Sequence, residues 1–140
     1  MRWTNSVIGA LALALGTAVS GCGRTTTESQ ATEPPAEHLA LKEIGEMYRL
    51  YLKEHHRPPK KAADFTAYDL GYSYGILGLQ GGDLIVLWGA QLAETPEAAK
   101  TVLAYEKLAP KQGGFVVMQD GSVEKMTAEE FLAAPKSGGG

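Results

Sequence analysis

The sequence predicts an α+β domain, in which one amphipathic N-terminal helix packs on a small antiparallel sheet of three to four strands and a short C-terminal helix closes the fold. Three observations predict this. Apolar residues recur with the spacing of one helix face between residues 37 and 56. Continuous apolar runs, rich in β-branched and aromatic residues, follow between residues 84 and 119. The dipeptide Asp120-Gly121 then separates two β-type runs, which is the strongest short signal for a hairpin.

Length, charge and cysteine content restrict the classes of protein to which the chain can belong. It has 140 residues, 13 Lys and Arg, 16 Asp and Glu, a formal net charge of −3 and one cysteine. This length allows one modest domain. A single cysteine excludes an internal disulfide framework and a cysteine-based zinc cluster. The slight acidity argues against a nucleic-acid partner, because such proteins carry a basic patch or stripe.

The N-terminus has the features of a secretory signal. Arg2 precedes an apolar run over residues 7–19, which is shorter than the roughly 20 residues that a membrane-spanning helix needs. The run ends in Val19-Ser20-Gly21-Cys22. An aliphatic residue, two small residues and a cysteine in this place resemble the lipobox of bacterial lipoproteins. The alternative is an ordinary secretory signal with a chance cysteine.

The lipobox resemblance implies how the chain is processed and where it resides. Residues 1–21 would form a lipoprotein signal peptide, cleaved between Gly21 and Cys22 after the Cys22 sulfur has accepted a diacylglyceryl group. More than one acyl chain anchors a protein firmly in a membrane. We therefore expect the membrane to be a partner through the lipidated cysteine, with the protein on the cell membrane or outer membrane and its domain outside the cytoplasm.

The mature chain is predicted to have three parts. Residues 22–36 have no aliphatic side chain larger than alanine and are rich in Thr, Ser, Glu and Pro. Such a segment cannot bury enough apolar surface to offset its ordering entropy, so it is predicted to be a flexible tether. Residues 37–134 are predicted to fold, and residues 135–140 are predicted to be a disordered tail.

The first helix is predicted over residues 37–56, where Pro58-Pro59 ends it. Leu39 and Leu50 lie off its predicted buried stripe, close together and beside the charged face. They are either scattered surface leucines or a contact for a partner. The predicted stripe consists of Ala40, Ile44, Met47, Tyr48, Tyr51 and His55, with Leu41 and Leu52 beside it.

The segment between this helix and the sheet gives weaker signals. Residues 60–69 are compatible with one short helical turn, with Phe65 and Tyr68 facing inward. Residues 71–83 are rich in glycine and are interpreted as a segment of turns that separates regular elements and includes part of an edge strand. No Gly-Lys-Ser/Thr follows these glycines, so they do not predict a phosphate loop.

Four runs are predicted to form the sheet. Residues 84–89 have the continuous apolar character of a central strand, and residues 101–106 form the second strand. Residues 115–119 and 122–126 flank Asp120-Gly121, which is predicted to form a two-residue turn with positive φ at both positions. A helical turn is predicted to start at Thr95-Pro96.

The last element is predicted to be a short helix that begins after Thr127. The Thr127 hydroxyl and the Glu130 carboxylate have the spacing of a capping box. Phe131 and Leu132 follow at once, and both are predicted to dock on the core.

Two stretches resemble proteins of bacterial secretion and pilus systems. Residues 44–65 (IGEMYRLYLKEHHRPPKKAADF) look like the helix end of type II secretion pseudopilins, in the HRPP segment at 56–59 and the ADF segment at 63–65. Residues 109–131 are similar to the closing hairpin of pilin-like proteins with an H-x9-D-G signature, although Pro110 stands where the histidine would be. The matching residues are Gly113, Gly114, Asp120, Gly121 and Ser122.

The resemblance implies a pilin-like fold and a link to secretion. The family has a prepilin leader and a long apolar helix half, where this chain has a lipobox and a polar tether. This difference argues against filament assembly through helix packing. The family's major pseudopilin can hold calcium in a carboxylate-bearing loop. The acids Asp64, Asp69, Asp83 and Asp120 are separated along this chain, so we expect no metal.

Residues that could perform catalysis do not form a recognisable pattern. His55 and His56 point about 100° apart on a helix, and His38 lies about 27 Å away at 1.5 Å per residue. We therefore interpret the three histidines as solvated residues at the helix ends. The serines lack a nucleophile-elbow pattern. We expect no enzyme activity and no cofactor.

Three hypotheses for function remain. The first is a lipid-anchored, non-catalytic interaction or scaffold module of the cell envelope, with an unknown envelope protein as partner and Leu39 and Leu50 as its contact. The second is a periplasmic ligand-binding lipoprotein, which would need a sizeable pocket. The third is a small hydrolase.

Overall fold

The computed structural model describes residues 33–138. They form a mixed α+β domain, as predicted, with helices and four antiparallel strands. The predicted signal peptide and most of the predicted tether lie outside the described residues. In chain order the elements are α1 (Ala36–His55), a 3₁₀ helix (Ala62–Tyr68), α2 (Ser73–Gly81), β1 (Leu84–Val86), a second 3₁₀ helix (Ala98–Lys100), β2 (Val102–Glu106), α3 (Ala109–Gln112), β3 (Gly114–Met118), β4 (Val123–Met126) and α4 (Ala128–Ala133).

The sheet has the strand order β1-β2-β3-β4, and each neighbouring pair is antiparallel. Both of its faces are covered. Val117 of β3 belongs to the core cluster that includes the buried side of α1. The preceding residue of the strand, Val116, points to the other face and packs in a second cluster with Phe131 of α4. Burial on both faces explains why β2 and β3 have continuous apolar sequences rather than alternating ones.

The predicted helix is confirmed as α1, and its buried stripe is confirmed with one exception. Ala40, Leu41, Ile44, Met47, Tyr48 and Tyr51 are buried. His55 is exposed, and its ring stacks on Tyr51 at 4.2 Å between centroids. The helix ends at His55, and His56 caps it with a left-handed φ of 53° and donates its N–H to the Leu52 carbonyl.

Residues 73–81 form helix α2, so the prediction of a partial edge strand in this segment is wrong. Glycine normally disfavours helix. Here, however, Gly75 lets α2 approach α1 closely, because a Cβ at Gly75 would lie 3.0 Å from Met47 Cε and 3.2 Å from the Ala40 carbonyl oxygen. Gly78 similarly faces Leu84 of β1, whose Cδ1 would lie 2.7 Å from a Cβ. Tertiary packing therefore outweighs local propensity in this segment.

The apolar run at residues 84–89 forms an edge strand and not the predicted central one. Only Leu84–Val86 belong to β1, which pairs with β2 alone. The run is apolar for two other reasons. Leu84 is covered by α2, and the Trp88 ring packs on Phe65 with centroids 5.4 Å apart.

The hairpin at Asp120-Gly121 is confirmed between β3 and β4, but its turn differs from the predicted one. Gly121 has a φ of +88°, while Asp120 does not have a positive φ. The Gly121 N–H bonds the Met118 carbonyl, and the Met118 N–H bonds the Ser122 carbonyl. This is the pattern of a three-residue loop with a bulge at glycine, and it requires only one residue with positive φ.

The C-terminal helix confirms the capping box and corrects one other prediction. The Glu130 N–H bonds Thr127 Oγ1 at 3.2 Å, and the Thr127 N–H bonds Glu130 Oε2 at 2.8 Å. Phe131 is buried as predicted, but Leu132 is 68% exposed because the two side chains point in different directions on a helix.

The predicted disordered tail at 135–140 is partly ordered. The Pro135 carbonyl accepts a hydrogen bond from the Val102 N–H, and the Ser137 N–H donates to the Val102 carbonyl. These bonds form where β1 no longer pairs with β2, so residues 135–137 occupy an open edge of the sheet. Residues 139 and 140 lie outside the described part of the chain.

Candidate functional site

The residues of the predicted lipobox are not part of the described structure. Lipidation of Cys22 and cleavage between Gly21 and Cys22 therefore stay predictions. Within residues 33–138, each helix is too short or too polar to cross a membrane.

The most prominent exposed apolar feature among the described residues lies on and just before α2. Leu70 is 100% exposed, Tyr74 is 50% exposed and Leu77 is 64% exposed. Tyr74 and Leu77 are three residues apart and are therefore neighbours on the helix surface. We call Leu70, Tyr74 and Leu77 the α2 surface.

The fold holds the α2 surface outward by fixing the opposite side of α2. Glu43 of α1 accepts a hydrogen bond from the Gly75 N–H at 2.7 Å. Gly75 is the third residue of α2, so its N–H has no partner within the helix. With Gly75 against α1 and Gly78 against β1, Leu77 points away from the domain.

Leu39 and Leu50, the predicted partner contact, are each half-buried and not exposed. Both lie on the stripe of α1 that carries Glu43, since positions 39, 43, 46 and 50 are spaced by three or four residues. Glu43 contacts α2, so α2 packs next to this stripe. The sequence prediction placed these leucines on an open face, and their partial burial differs from that placement.

An acidic cleft lies between the start of α1, the end of β2 and the α3–β3 connection. It has a volume of about 780 Å³, and its charged lining residues are Glu37, Glu106 and Glu130 with one cation, Lys125. The Glu106 carboxylate accepts a hydrogen bond from the Phe115 N–H at 2.5 Å. Glu130 belongs to the capping box of α4. Two of the three carboxylates are therefore bound to the backbone at places where the fold needs an acceptor.

The three histidines differ in their surroundings. His55 and His56 are exposed at the end of α1, as predicted. His38 is half-buried and not solvated as predicted, since its ring meets Phe115 edge-on with centroids 5.5 Å apart. Its Nδ1 is buried and has no hydrogen-bond partner among the described atoms. In the described part of the chain, no three His, Cys, Asp or Glu side chains are grouped as metal ligands.

The predicted turn residues lie in contact with α1. Arg49 donates a hydrogen bond from Nη2 to the Asp120 carbonyl at 3.3 Å. The Asp120 carboxylate accepts hydrogen bonds from the Ser122 N–H at 2.9 Å and from the Ser122 hydroxyl at 2.6 Å. Asp120 and Gly121 thus fix the hairpin and connect it to the helix.

Comparisons of the chain with models of known protein families, with curated protein sequences and with solved structures found no match. The α2 surface is therefore defined by the geometry of this chain alone. The sequence did not predict the α2 surface, because residues 71–83 were interpreted as turns between regular elements. The available signal was its composition, since Leu70, Tyr74 and Leu77 are more apolar than an exposed loop requires.

Proposed function

We propose that the chain is a lipid-anchored lipoprotein of the cell envelope, whose domain acts by contact as a non-catalytic interaction or scaffold module. The observation that carries this proposal is the α2 surface. Leu70, Tyr74 and Leu77 are exposed and contribute little to the core. Exposed apolar groups that are neighbours on one helix, as Tyr74 and Leu77 are, are typical of a contact surface.

The sequence of the N-terminus supports the anchor. The Val19–Cys22 segment resembles a lipobox, and residues 22–36 have the composition of a tether. A domain on such a tether is kept at a high effective concentration near membrane partners. Weak contacts then suffice for function.

The roles of the cleft carboxylates support contact over catalysis. Glu106 and Glu130 each accept a backbone N–H bond that the local fold would otherwise lack. Such carboxylates serve as hydrogen-bond acceptors for the backbone. This structural role explains their presence in the cleft without a catalytic role.

We further propose that the partner of the domain is an envelope protein. Leu39 and Leu50 are the candidate contact, because each retains part of its surface on the flank of α1. The resemblance of residues 44–65 and 109–131 to pseudopilins and pilin-like proteins supports assigning this contact to an assembly of the secretion type.

A periplasmic ligand-binding lipoprotein is the second candidate, and the acidic cleft favours it. Its volume of about 780 Å³ lies within the range of small-molecule sites. Its carboxylates would select a cationic ligand. A rise in melting temperature on addition of a polyamine such as spermidine, lost in Glu37→Gln, would favour this candidate.

A crosslinking pull-down from native membranes tests the main proposal. The wild-type protein is compared with Cys22→Ser, which has an intact domain and no site for the lipid. We expect specific envelope proteins to be recovered with wild type and at least tenfold less with Cys22→Ser. Equal recovery would show that the anchor has no part in the contact.

A further inference from the structure

We propose that the α2 surface contacts the lipid bilayer itself, with Leu70, Tyr74 and Leu77 inserted into the headgroup region. This proposal rests on the lipid anchor proposed above. The position of the surface is the first argument. The described chain starts next to α1, and Ala36 at the start of α1 lines the same small pocket as Tyr74. Tyr74 of the α2 surface therefore lies close to the point where the tether joins the domain.

The length of the tether keeps this part of the domain near the bilayer. A fully extended chain covers at most about 3.3–3.6 Å per residue, so Cys22 and Ala36 are at most about 50 Å apart. Acyl chains on Cys22 therefore keep the start of α1 within about 50 Å of the bilayer, a distance from which the α2 surface can reach the lipid headgroups.

The size and composition of the α2 surface fit a contact with lipid. The α2 surface consists of three side chains on or beside a helix of 9 residues. Two leucines and a tyrosine are sufficient for a shallow insertion that assists an anchor, and tyrosine is enriched at the membrane interface.

The segment that carries the α2 surface supplies no positive charge to a lipid contact. Residues 62–99 contain Asp and Glu but no Lys or Arg. Attraction to anionic lipids needs basic residues near the surface. The contact is therefore apolar, independent of salt, and suited to a zwitterionic bilayer.

Depth-dependent fluorescence quenching tests this proposal on the full-length lipidated protein. Ser73 is exposed at the start of α2, and Ser73→Cys gives a labelling site that leaves the three apolar side chains intact. The chain has one cysteine of its own, whose sulfur is consumed by lipidation. The matched control is Ala133→Cys, exposed on α4, which packs on the other face of the sheet.

The labelled proteins are placed in phosphatidylcholine vesicles that contain doxyl-labelled lipid as quencher. We expect strong quenching of the label at residue 73 and little at residue 133, at both low and high salt. Adding Leu70→Ser and Leu77→Ser should lower the ratio of inserted to free domain by about tenfold, given the apolar surface lost. Quenching of the label at residue 73 should then fall toward the low value of the label at residue 133.

Three results would overturn the proposal. Equal quenching at both positions would mean that the domain has no fixed contact, and quenching that survives Leu70→Ser with Leu77→Ser would mean that other residues insert. Absence of quenching together with self-proximity of two labels would assign the surface to a second copy of the chain. The intact mass of the protein separates a failure of the bilayer contact from a failure of the lipid anchor. A protein without acyl chains would refute the proposed function as well. An acylated protein whose label is not quenched would refute the bilayer contact alone.

Discussion

The Glu43 carboxylate accepts a hydrogen bond from the Gly75 backbone N–H at 2.7 Å, so a side chain of α1 caps the N-terminus of α2. The first N–H groups of a helix lack partners within it, and a negative charge there also interacts favourably with the helix dipole. The same place is the closest approach of the two helices, since Gly75 lies against Met47 and Ala40. One contact thus positions α2 and the exposed apolar residues that it carries.

Removing this cap should destabilise α2. Glu43→Ala is expected to lower the free energy of unfolding by about 0.5–2 kcal/mol, as for the loss of an N-cap. Glu43→Gln keeps an acceptor and should lose only the charge contribution of about 0.3–1 kcal/mol. Chemical denaturation measures both. An Ala variant as stable as wild type would show that the hydrogen bond does not hold α2.

The close helix approach makes a separate prediction for Gly75. In Gly75→Ala, the added methyl meets Met47 Cε at 3.0 Å and the Ala40 carbonyl oxygen at 3.2 Å. We expect a loss of about 1–3 kcal/mol from overpacking, although alanine has the higher helix propensity. A gain in stability on denaturation would mean that the helices have room to separate.

The hairpin should depend on glycine at position 121. Gly121→Val places a β-branched residue at a φ of +88°, and its Cβ would meet Arg49 Nη2 at 2.5 Å. The expected cost is about 1–3 kcal/mol of stability. Gly138→Ala is the control, because a Cβ there meets nothing within 4 Å. If thermal denaturation gives the same melting temperature for both variants, the turn does not constrain the fold.

Alkaline pH should weaken the fold through Tyr48. This side chain is buried, its hydroxyl donates to the Ala90 carbonyl at 2.9 Å, and burial raises its pKa to about 12 from its ordinary value of 10.0. The folded state therefore favours the neutral phenol. Its contribution is complete below pH 10 and is lost as the pH rises from about 10 to 12.

Stability measured at several pH values checks this expectation. Tyr48→Phe should be less stable than wild type at neutral pH by about 1–3 kcal/mol, because the Ala90 carbonyl loses its partner. Its stability should also fall less steeply between pH 10 and 12. Tyr68, whose pKa burial and the Glu54 carboxylate also raise to about 12, continues to titrate in this variant. Parallel curves for wild type and Tyr48→Phe would refute the assignment to Tyr48.

The proposed protein contact predicts the behaviour of Leu39 and Leu50. Changing both to Lys should cost about 1 kcal/mol each, since half-buried leucines lose only part of their burial energy. The double variant should remain folded and should lose partner recovery in a membrane pull-down. Leu132→Lys, at a leucine that is 68% exposed, is the control and should retain recovery.

Two outcomes would count against this contact. A double variant that unfolds would mean that the two leucines are essential to the core. One that folds and recovers every partner would exclude the flank of α1 from the interface.

The sequence was sufficient for elements whose signal is local. The spacing of apolar residues defined α1, and Thr127 with Glu130 defined the start of α4. Asp120-Gly121 located the hairpin. The turn type was not determined, because a two-residue turn and a three-residue loop with a bulge at Gly121 share the same dipeptide.

Elements that depend on distant contacts were missed. Residues 73–81 are helical because Gly75 and Gly78 fit against α1 and β1, which a local pattern does not encode. The ordering of residues 135–137 depends on an open edge at Val102, created by the shortness of β1.

The mass of the mature N-terminus tests the central claim most directly. The protein is extracted from membranes of cells fed with a fatty-acid analogue, and its N-terminal peptide is analysed by mass spectrometry. The proposal predicts a chain that begins at Cys22 and carries a diacylglyceryl group with the label, and an unlabelled precursor for Cys22→Ser. A wild-type protein without label, or one whose N-terminus lies elsewhere, would contradict a lipid-anchored function.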